Sequence, residues 1–297
     1  MAIVSNPGPV ARAAARGHRP GRFLASRADS QLCGIAGYSV SAESRVDRTL
    51  VAQTLLAAIS GRGADAVGYA YRGPDVPLSV HKQRTGASEL LDVLELPSAA
   101  RQALVHVRDY TKGHPSVAAN NHPVRHGRVV GIHNGIIAND EEIFARYDFE
   151  RDEPEMTVDS EAIFALAERE ESRAGALAEL HGSMAAAWFD ERTPDVVFLA
   201  RGIGRPLWIG EGREELVFAS TREALELTER YAGTRLETRD VPEGTLLTLA
   251  AGKVASAEEF EPDRSFTEEL LPPMRAPHEA RFCLARLAAI AAPATAR

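Results

Sequence analysis

The chain has 297 residues, 44% hydrophobic and 26% charged, enough to bury a sizeable core in one large domain or two ordinary ones. A net charge of −8, with thirteen acids against three arginines between residues 140 and 171, excludes a nucleic-acid footprint and points to small polar partners. The two cysteines, Cys33 and Cys283, lie far apart and no CxxC occurs, which excludes a disulfide framework and a thiolate zinc site and fits a reducing cytoplasm. No stretch approaches the roughly 18 apolar residues of a membrane span, so no membrane partner is expected.

Residues 1–32 differ in composition from the rest of the chain: Arg12, Arg16, Arg19, Arg22 and Arg27 stand against the single acid Asp29, among Ala, Gly and Pro. Without an apolar h-region the segment is not a secretory signal. It reads as a disordered leader, a propeptide or transit peptide, or upstream sequence translated from a mis-assigned start. From Cys33 onward short strands and helices alternate. Residues 33–40 read as a strand, and 46–59 as a helix whose apolar positions fall on one face and which Gly61-Arg62-Gly63 stops. A strand pair over 67–71 and 78–83 is joined through Gly73-Pro74-Asp75, followed by a helix over 88–94 and a strand over 103–108. The loop 109–122 has no periodicity, and loops of that length inside a domain are usually functional.

Residues 128–133 read as a strand and 139–147 as a helix in which Asn139 and Glu142 form a loose capping box. A further helix runs from about Asp159 to Glu171. Strands over 183–190, 195–201, 206–210 and 215–219, a helix over 221–231 and a strand over 244–249 complete the pattern, which is that of a layered α+β domain with antiparallel sheets. The division expected is a leader at 1–32, a domain at 33–252 and a partly helical or disordered tail at 253–297.

Cys33 heads a short apolar strand and is followed by glycines. Taken alone such a cysteine is a buried thiol; its chemistry emerges only together with residues farther along the chain. In His133-Asn134-Gly135-Ile136-Ile137, Asn-Gly after a strand fits a hairpin turn. It fits equally a strand end that sets a side-chain amide beside an unencumbered backbone N–H, the donors an oxyanion hole needs.

Cys33-Gly34-Ile35-Ala36-Gly37, Arg62-Gly63-Ala64-Asp65-Ala66-Val67-Gly68, His106-Val107-Arg108 with Thr111 and Gly113, Asn121-His122-Pro123, His133-Asn134-Gly135-Ile136-Ile137 and Val158-Asp159-Ser160-Glu161 occur in that order. So arranged, the chain from 33 to about 250 resembles the class II glutamine amidotransferases. Arg201, Gly204-Arg205-Pro206-Leu207 and Phe218-Ala219-Ser220 are similar to the later part of the same domain. The resemblance implies an N-terminal-nucleophile fold, a four-layer αββα sandwich of two stacked antiparallel sheets. It implies that Cys33 is both nucleophile and chain terminus, its free α-amine serving as general base, with Asn134 and the Gly135 N–H stabilising the oxyanion. Arg108 would bind the carboxylate of glutamine and Asp159 its ammonium group, with Thr111 and Gly113 alongside. Asp159 reads also as a helix N-cap, and Arg62 either supports the Cys33 end of the site or forms a surface ion pair. His106 and His133 are expected to be hydrogen-bonded core residues without a catalytic role, and Asn121-His122-Pro123 to shape the loop or the site.

Two departures stand out. Where sugar-aminating members carry an aromatic lid residue after the site arginine, this chain has Asp109 followed by Tyr110. And the residues after 252 are too few for an isomerase, phosphoribosyltransferase or synthetase module. The expectation is therefore a glutaminase-type enzyme, needing no metal or other cofactor, that acts on glutamine or another γ-glutamyl amide and supplies ammonia to an acceptor enzyme in trans. A γ-glutamyl amide hydrolase or a non-catalytic glutamine-binding module are the alternatives, and the oligomeric state is open.

Overall fold

A computed structural model describes residues 33–267 and 276–292; the expected leader lies outside the described residues. In chain order the elements are β1 (Gly34–Val40), α1 (Arg48–Ile59), β2 (Ala66–Gly73), β3 (Val76–Gln83), α2 (Ala87–Leu91), β4 (Gln102–Arg108), β5 (Val124–His126), β6 (Val129–Ile137), α3 (Asp140–Tyr147) and α4 (Glu161–Arg169). They continue with α5 (Ala174–Leu177), β7 (Gly182–Asp190), β8 (Val196–Arg201), β9 (Trp208–Glu211), β10 (Glu215–Ala219), α6 (Arg222–Ala232), β11 (Glu237–Asp240), β12 (Thr245–Ala250), β13 (Lys253–Glu259) and α7 (Pro277–Ile290).

Two antiparallel sheets result, ordered β11-β9-β10-β1-β4-β2-β3 and β13-β12-β8-β7-β6-β5. The strand period of two assigns side chains to layers. Ile35 on β1, Leu104 on β4, Val130 and Ile132 on β6 and Ala185, Ala187 and Phe189 on β7 fill the space between the sheets. The alternate residues Ala36, Tyr38, Val105 and Val107 pack under Leu55, Leu56 and Ile59 of α1, Leu90 of α2, Leu225 of α6 and Cys283 of α7. On the far side Val129, Trp188 and Phe198 meet Ile143 of α3 and Ile163 and Phe164 of α4. The molecule is thus a four-layer αββα sandwich.

The same parity places the polar residues of interest. Arg108 and His106 share the inward face of β4 with Leu104, and Asn134 shares that of β6 with Ile132. At the opposite end the sheets are strapped by Arg72, whose Nε donates to Gln102 Oε1 at 2.6 Å and whose Nη atoms donate to the carbonyls of Asp190, Thr193 and Val196.

Several boundaries differ from the sequence expectation. β6 does not stop at His133: it runs to Ile137, paired throughout with β7 from Asp190 to Gly182. Asn134 and Gly135 therefore sit inside a strand rather than at its end. Asn139 makes no side-chain cap; its amide donates to Glu179 O and its Oδ1 accepts from His181 N, tying the start of α3 to the segment that leads into β7. The N-cap of α4 is Ser160, not Asp159. β13 continues the second sheet past residue 252, and α7 buries Cys283 and Leu287 against the first helical layer. β5 and β11, at three and four residues, are polar edge strands too short for a readable alternation.

Candidate active site

The first sheet delivers Cys33 at the start of β1 and Arg108 at the end of β4, because the two strands pair antiparallel with Gly34 opposite Val107. Gly63 permits this closeness: a Cβ there would lie 2.3 Å from Arg108 O and 2.6 Å from Asp109 N. The second sheet brings up Gly135, and the segment entering α4 brings Val158, Asp159 and Ser160. The loop after β4 folds over all of them. Cys33, Arg108, Asp109, Thr111, Lys112, His122, His133, Gly135 and Asp159 line one cleft, as do Tyr110, Val158 and Ser160. Its free volume is about 10 Å³, room for a single water.

The Cys33 thiol donates to Asp109 O at 3.3 Å and accepts from Asp109 N at 3.4 Å. Burial pushes its pKa up, with the Arg108 charge opposing. Among the described residues no imidazole hydrogen-bonds the sulfur; His122, which lines the same cleft, has neither ring nitrogen partnered. Arg62 Nε donates to Cys33 O at 3.1 Å and thereby fixes this end of β1; Arg62 is not part of the cleft wall.

Arg108 is buried, and burial lowers its pKa. Nη1 donates to Asn121 Oδ1 at 2.6 Å, and Nη2 to Lys112 O at 2.9 Å and Gly113 O at 2.5 Å. Of the five guanidinium hydrogens these bonds leave Nε–H and one on Nη1 for a ligand. Gly113 thus takes part through its carbonyl, as a prop for Arg108, while Thr111 faces the cleft itself. Asn121 and His122, which the sequence left between loop and site, do both: Asn121 holds the guanidinium and His122 lines the wall.

Asp159 is 3% exposed and accepts from Ile137 N at 2.7 Å through Oδ2. Burial raises its carboxyl to about 6, and nearby Asp140 adds to the shift. Asp109 is likewise raised to about 6 by burial and by Asp65. Lys112, which no sequence motif flagged, is held by Asp140 at 2.8 Å and Glu141 at 3.1 Å; its one legible signal was a lone cation in a loop facing the acidic start of a helix.

Asn134 is fully buried, and neither its Oδ1 nor its Nδ2 has a hydrogen-bond partner among the described residues. An amide so placed loses both bonds it would make in water, at about 1–3 kcal/mol for each unsatisfied group. Its neighbour Gly135 has φ +149°, and a Cβ there would fall 1.9 Å from Ser183 O and 2.7 Å from His133 Nε2. Only glycine fits. β6 thus carries an unpartnered amide at Asn134 beside a side-chain-free peptide at Gly135; Gly135 lines the thiol cleft, whereas Asn134 is not among its lining residues. Among the described residues no cluster of His, Cys, Asp and Glu could hold a metal ion, and no helix is long and apolar enough to cross a membrane.

Comparison with known proteins gives these features a context. A family model described as a glutamine amidotransferase domain matches residues 111–227. The glutamine–fructose-6-phosphate aminotransferase (isomerizing) of Symbiobacterium thermophilum is 31% identical over 238 residues, covering 75% of this chain and 37% of that protein. The protein of the same name from Vibrio parahaemolyticus is 31% identical over 224 residues, 72% of this chain and 35% of its own. The chain thus spans little more than a third of the length of these relatives. Among solved structures, the glutamine phosphoribosylpyrophosphate amidotransferase of B. subtilis superposes with a TM-score of 0.60 at 20% identity, over 76% of this chain and 49% of that one. A second, described as the allosteric regulatory enzyme of purine biosynthesis, gives 0.61 at 21% identity over the same shares. At such identities the likeness is one of fold.

Proposed function

The chain belongs to the class II glutamine amidotransferase domains, of N-terminal-nucleophile type, and on that premise we propose that it hydrolyses the side-chain amide of glutamine through a thioester at Cys33. The observation that carries the reading is the thiol's isolation. Burial raises the Cys33 pKa, and the sulfur's hydrogen-bond partners are the backbone atoms of Asp109. His133 has both ring nitrogens engaged elsewhere, with Ser160 Oγ and Ser183 O. The family resemblance assigns the proton acceptor to the α-amine of Cys33, whose ordinary pKa of about 7.7–8.0 suits a general base near neutral pH, whereas burial holds His122, the other imidazole of the cleft wall, well below its ordinary pKa and so makes it a weak base.

Glutamine enters with its α-carboxylate against the remaining N–H groups of Arg108, flanked by Thr111, and its α-ammonium against Asp159. The amine of Cys33 takes the thiol proton as Sγ attacks the amide carbon. The oxyanion that forms is met by Asn134 Nδ2 and the Gly135 N–H; donors of this kind are worth about 10²- to 10³-fold each in rate. Collapse breaks the C–N bond, and the protonated amine hands its proton to the departing ammonia. Water, deprotonated by the same amine, then resolves the γ-glutamyl thioester to glutamate and restores the thiol.

Two parts of the proposal concern the chain beyond the cleft. The active form begins at Cys33, since the nitrogen of a Leu32–Cys33 peptide bond cannot accept a proton. The ammonia is passed on to an acceptor, a reading supported by relatives whose names pair glutamine with a sugar phosphate. Mass spectrometry of the active protein, with glutamate release measured before and after Cys33→Ser, tests the reading. A terminus at Cys33 and loss of at least about 10³-fold in rate are expected. Full activity from a chain still carrying residues 1–32, or from Cys33→Ser, refutes it.

A further inference from the structure

His133 lines the cleft, yet its hydrogen bonds run to two neighbouring elements. Nδ1 lies 2.9 Å from Ser160 Oγ and Nε2 lies 3.3 Å from Ser183 O. A carbonyl only accepts, so Nε2 carries the hydrogen and Nδ1 accepts from the Ser160 hydroxyl. Burial lowers the pKa of this ring to about 3, so that one tautomer persists across the working pH range.

What the ring joins is specific. Ser160 immediately follows Asp159, the proposed ammonium partner. Ser183 is on β7 opposite Ile136, and its carbonyl is the atom that a Cβ on Gly135 would strike. His133 itself immediately precedes Asn134, and its own carbonyl accepts from His106 Nε2 at 3.1 Å. A single rigid imidazole therefore connects the entry to α4, strand β6 and strand β7 at the point where the two ends of the cleft meet.

We propose that His133 is a positioning residue that, as the neutral Nε2–H tautomer, holds Asp159 and the Asn134–Gly135 peptide at a fixed separation, keeping the ammonium-binding and oxyanion-binding ends of the cleft in register for one substrate. The inference rests on the proposed hydrolysis of glutamine. Its two hydrogen bonds act on different steps: the Ser160 bond through Asp159 on substrate binding, and the Ser183 bond through Gly135 on stabilisation of the transition state.

The ring's geometry lets the two bonds be cut separately. His133→Asn keeps an acceptor near the Nδ1 position and loses the reach to Ser183. His133→Gln keeps a donor near the Nε2 position and loses the acceptor facing Ser160; Ser160→Ala removes that same bond from the other side. Glutamate release is measured per active site, with sites counted by covalent labelling of Cys33 with an electrophilic glutamine analogue. His133→Asn is expected to lower kcat about 10- to 100-fold with KM within about twofold, since small misplacements of reacting groups cost that much. His133→Gln and Ser160→Ala are expected to raise KM about tenfold with kcat within about threefold.

A ring that merely fills space would reduce the number of labelled sites while leaving kcat and KM per site at parental values, and that result overturns the proposal. So does a common loss of both parameters in all three variants, without the split. Parental protein that begins at Cys33 and neither turns over glutamine nor takes the label defeats the underlying glutaminase reading instead, and is recognised before any variant is made.

Discussion

Replacing Asp159 by asparagine should make the protein more stable and less able to bind glutamine. The carboxyl is 3% exposed, and burial lifts its pKa from 3.8 to about 6. A shift of about two units corresponds to about 3 kcal/mol. Because the folded pKa lies above the unfolded one, the protonated form is favoured in the fold: the associated stability is fully present below about pH 4 and is lost as the pH rises through about 6. Asp159→Asn retains an acceptor for Ile137 N, which now bonds Oδ2 at 2.7 Å, and carries no charge to bury beside Asp140. Urea unfolding should therefore show the variant about 1–3 kcal/mol more stable than the parent at pH 7.5 and equal to it near pH 4. Loss of a charge-assisted bond to the ammonium group should raise KM for glutamine about 100-fold. In the parent, kcat/KM should fall more steeply below about pH 6, where protonation of the carboxyl adds to that of the α-amine. A variant destabilised equally at every pH, or one that keeps its KM, would show that Asp159 is a structural residue and refute the assignment.

Other substitutions separate chemistry from scaffold. Asn134→Ala should lower kcat about 10²- to 10³-fold with KM nearly unchanged, and cost less than about 1 kcal/mol in urea unfolding because the amide it removes has no partner to lose. Gly135→Ala should destabilise by more than about 3 kcal/mol and abolish turnover, as its Cβ would fall 1.9 Å from Ser183 O on a backbone at φ +149°; a urea midpoint within error of the parent's contradicts this. Arg72→Met removes the strap between the sheets and should cost about 2–4 kcal/mol. The strap lies six residues along β2 from Ala66, the partner of Arg108, so KM should be unaffected when glutamate release is assayed on the folded variant.

Local patterning determined most of the element order. Alternation in Ile35, Ala36, Tyr38 and Val40 and helical spacing in Val51, Leu55 and Ile59 are one- and two-turn signals that need no distant residue to be read. The ordered short motifs, from Cys33-Gly34-Ile35 to Asp159-Ser160-Glu161, carried the family and with it the four-layer architecture. Tertiary structure decided what such signals cannot contain. That β6 runs through Asn134-Gly135 depends on nine residues of pairing with β7 some fifty positions away, which overrides the local turn preference of Asn-Gly. That Asn139 ties α3 to the segment before β7 in place of capping its own helix depends on Glu179 and His181 lying within reach. The commitment of Arg108 to Asn121 and two loop carbonyls, and the linking of Ser160 to Ser183 through the His133 imidazole, are likewise products of contacts between segments. A sequence lists which donors and acceptors a chain owns; only the packing of the two sheets sets which of them are satisfied by protein and which, like the Asn134 amide, are left without a partner among the described residues.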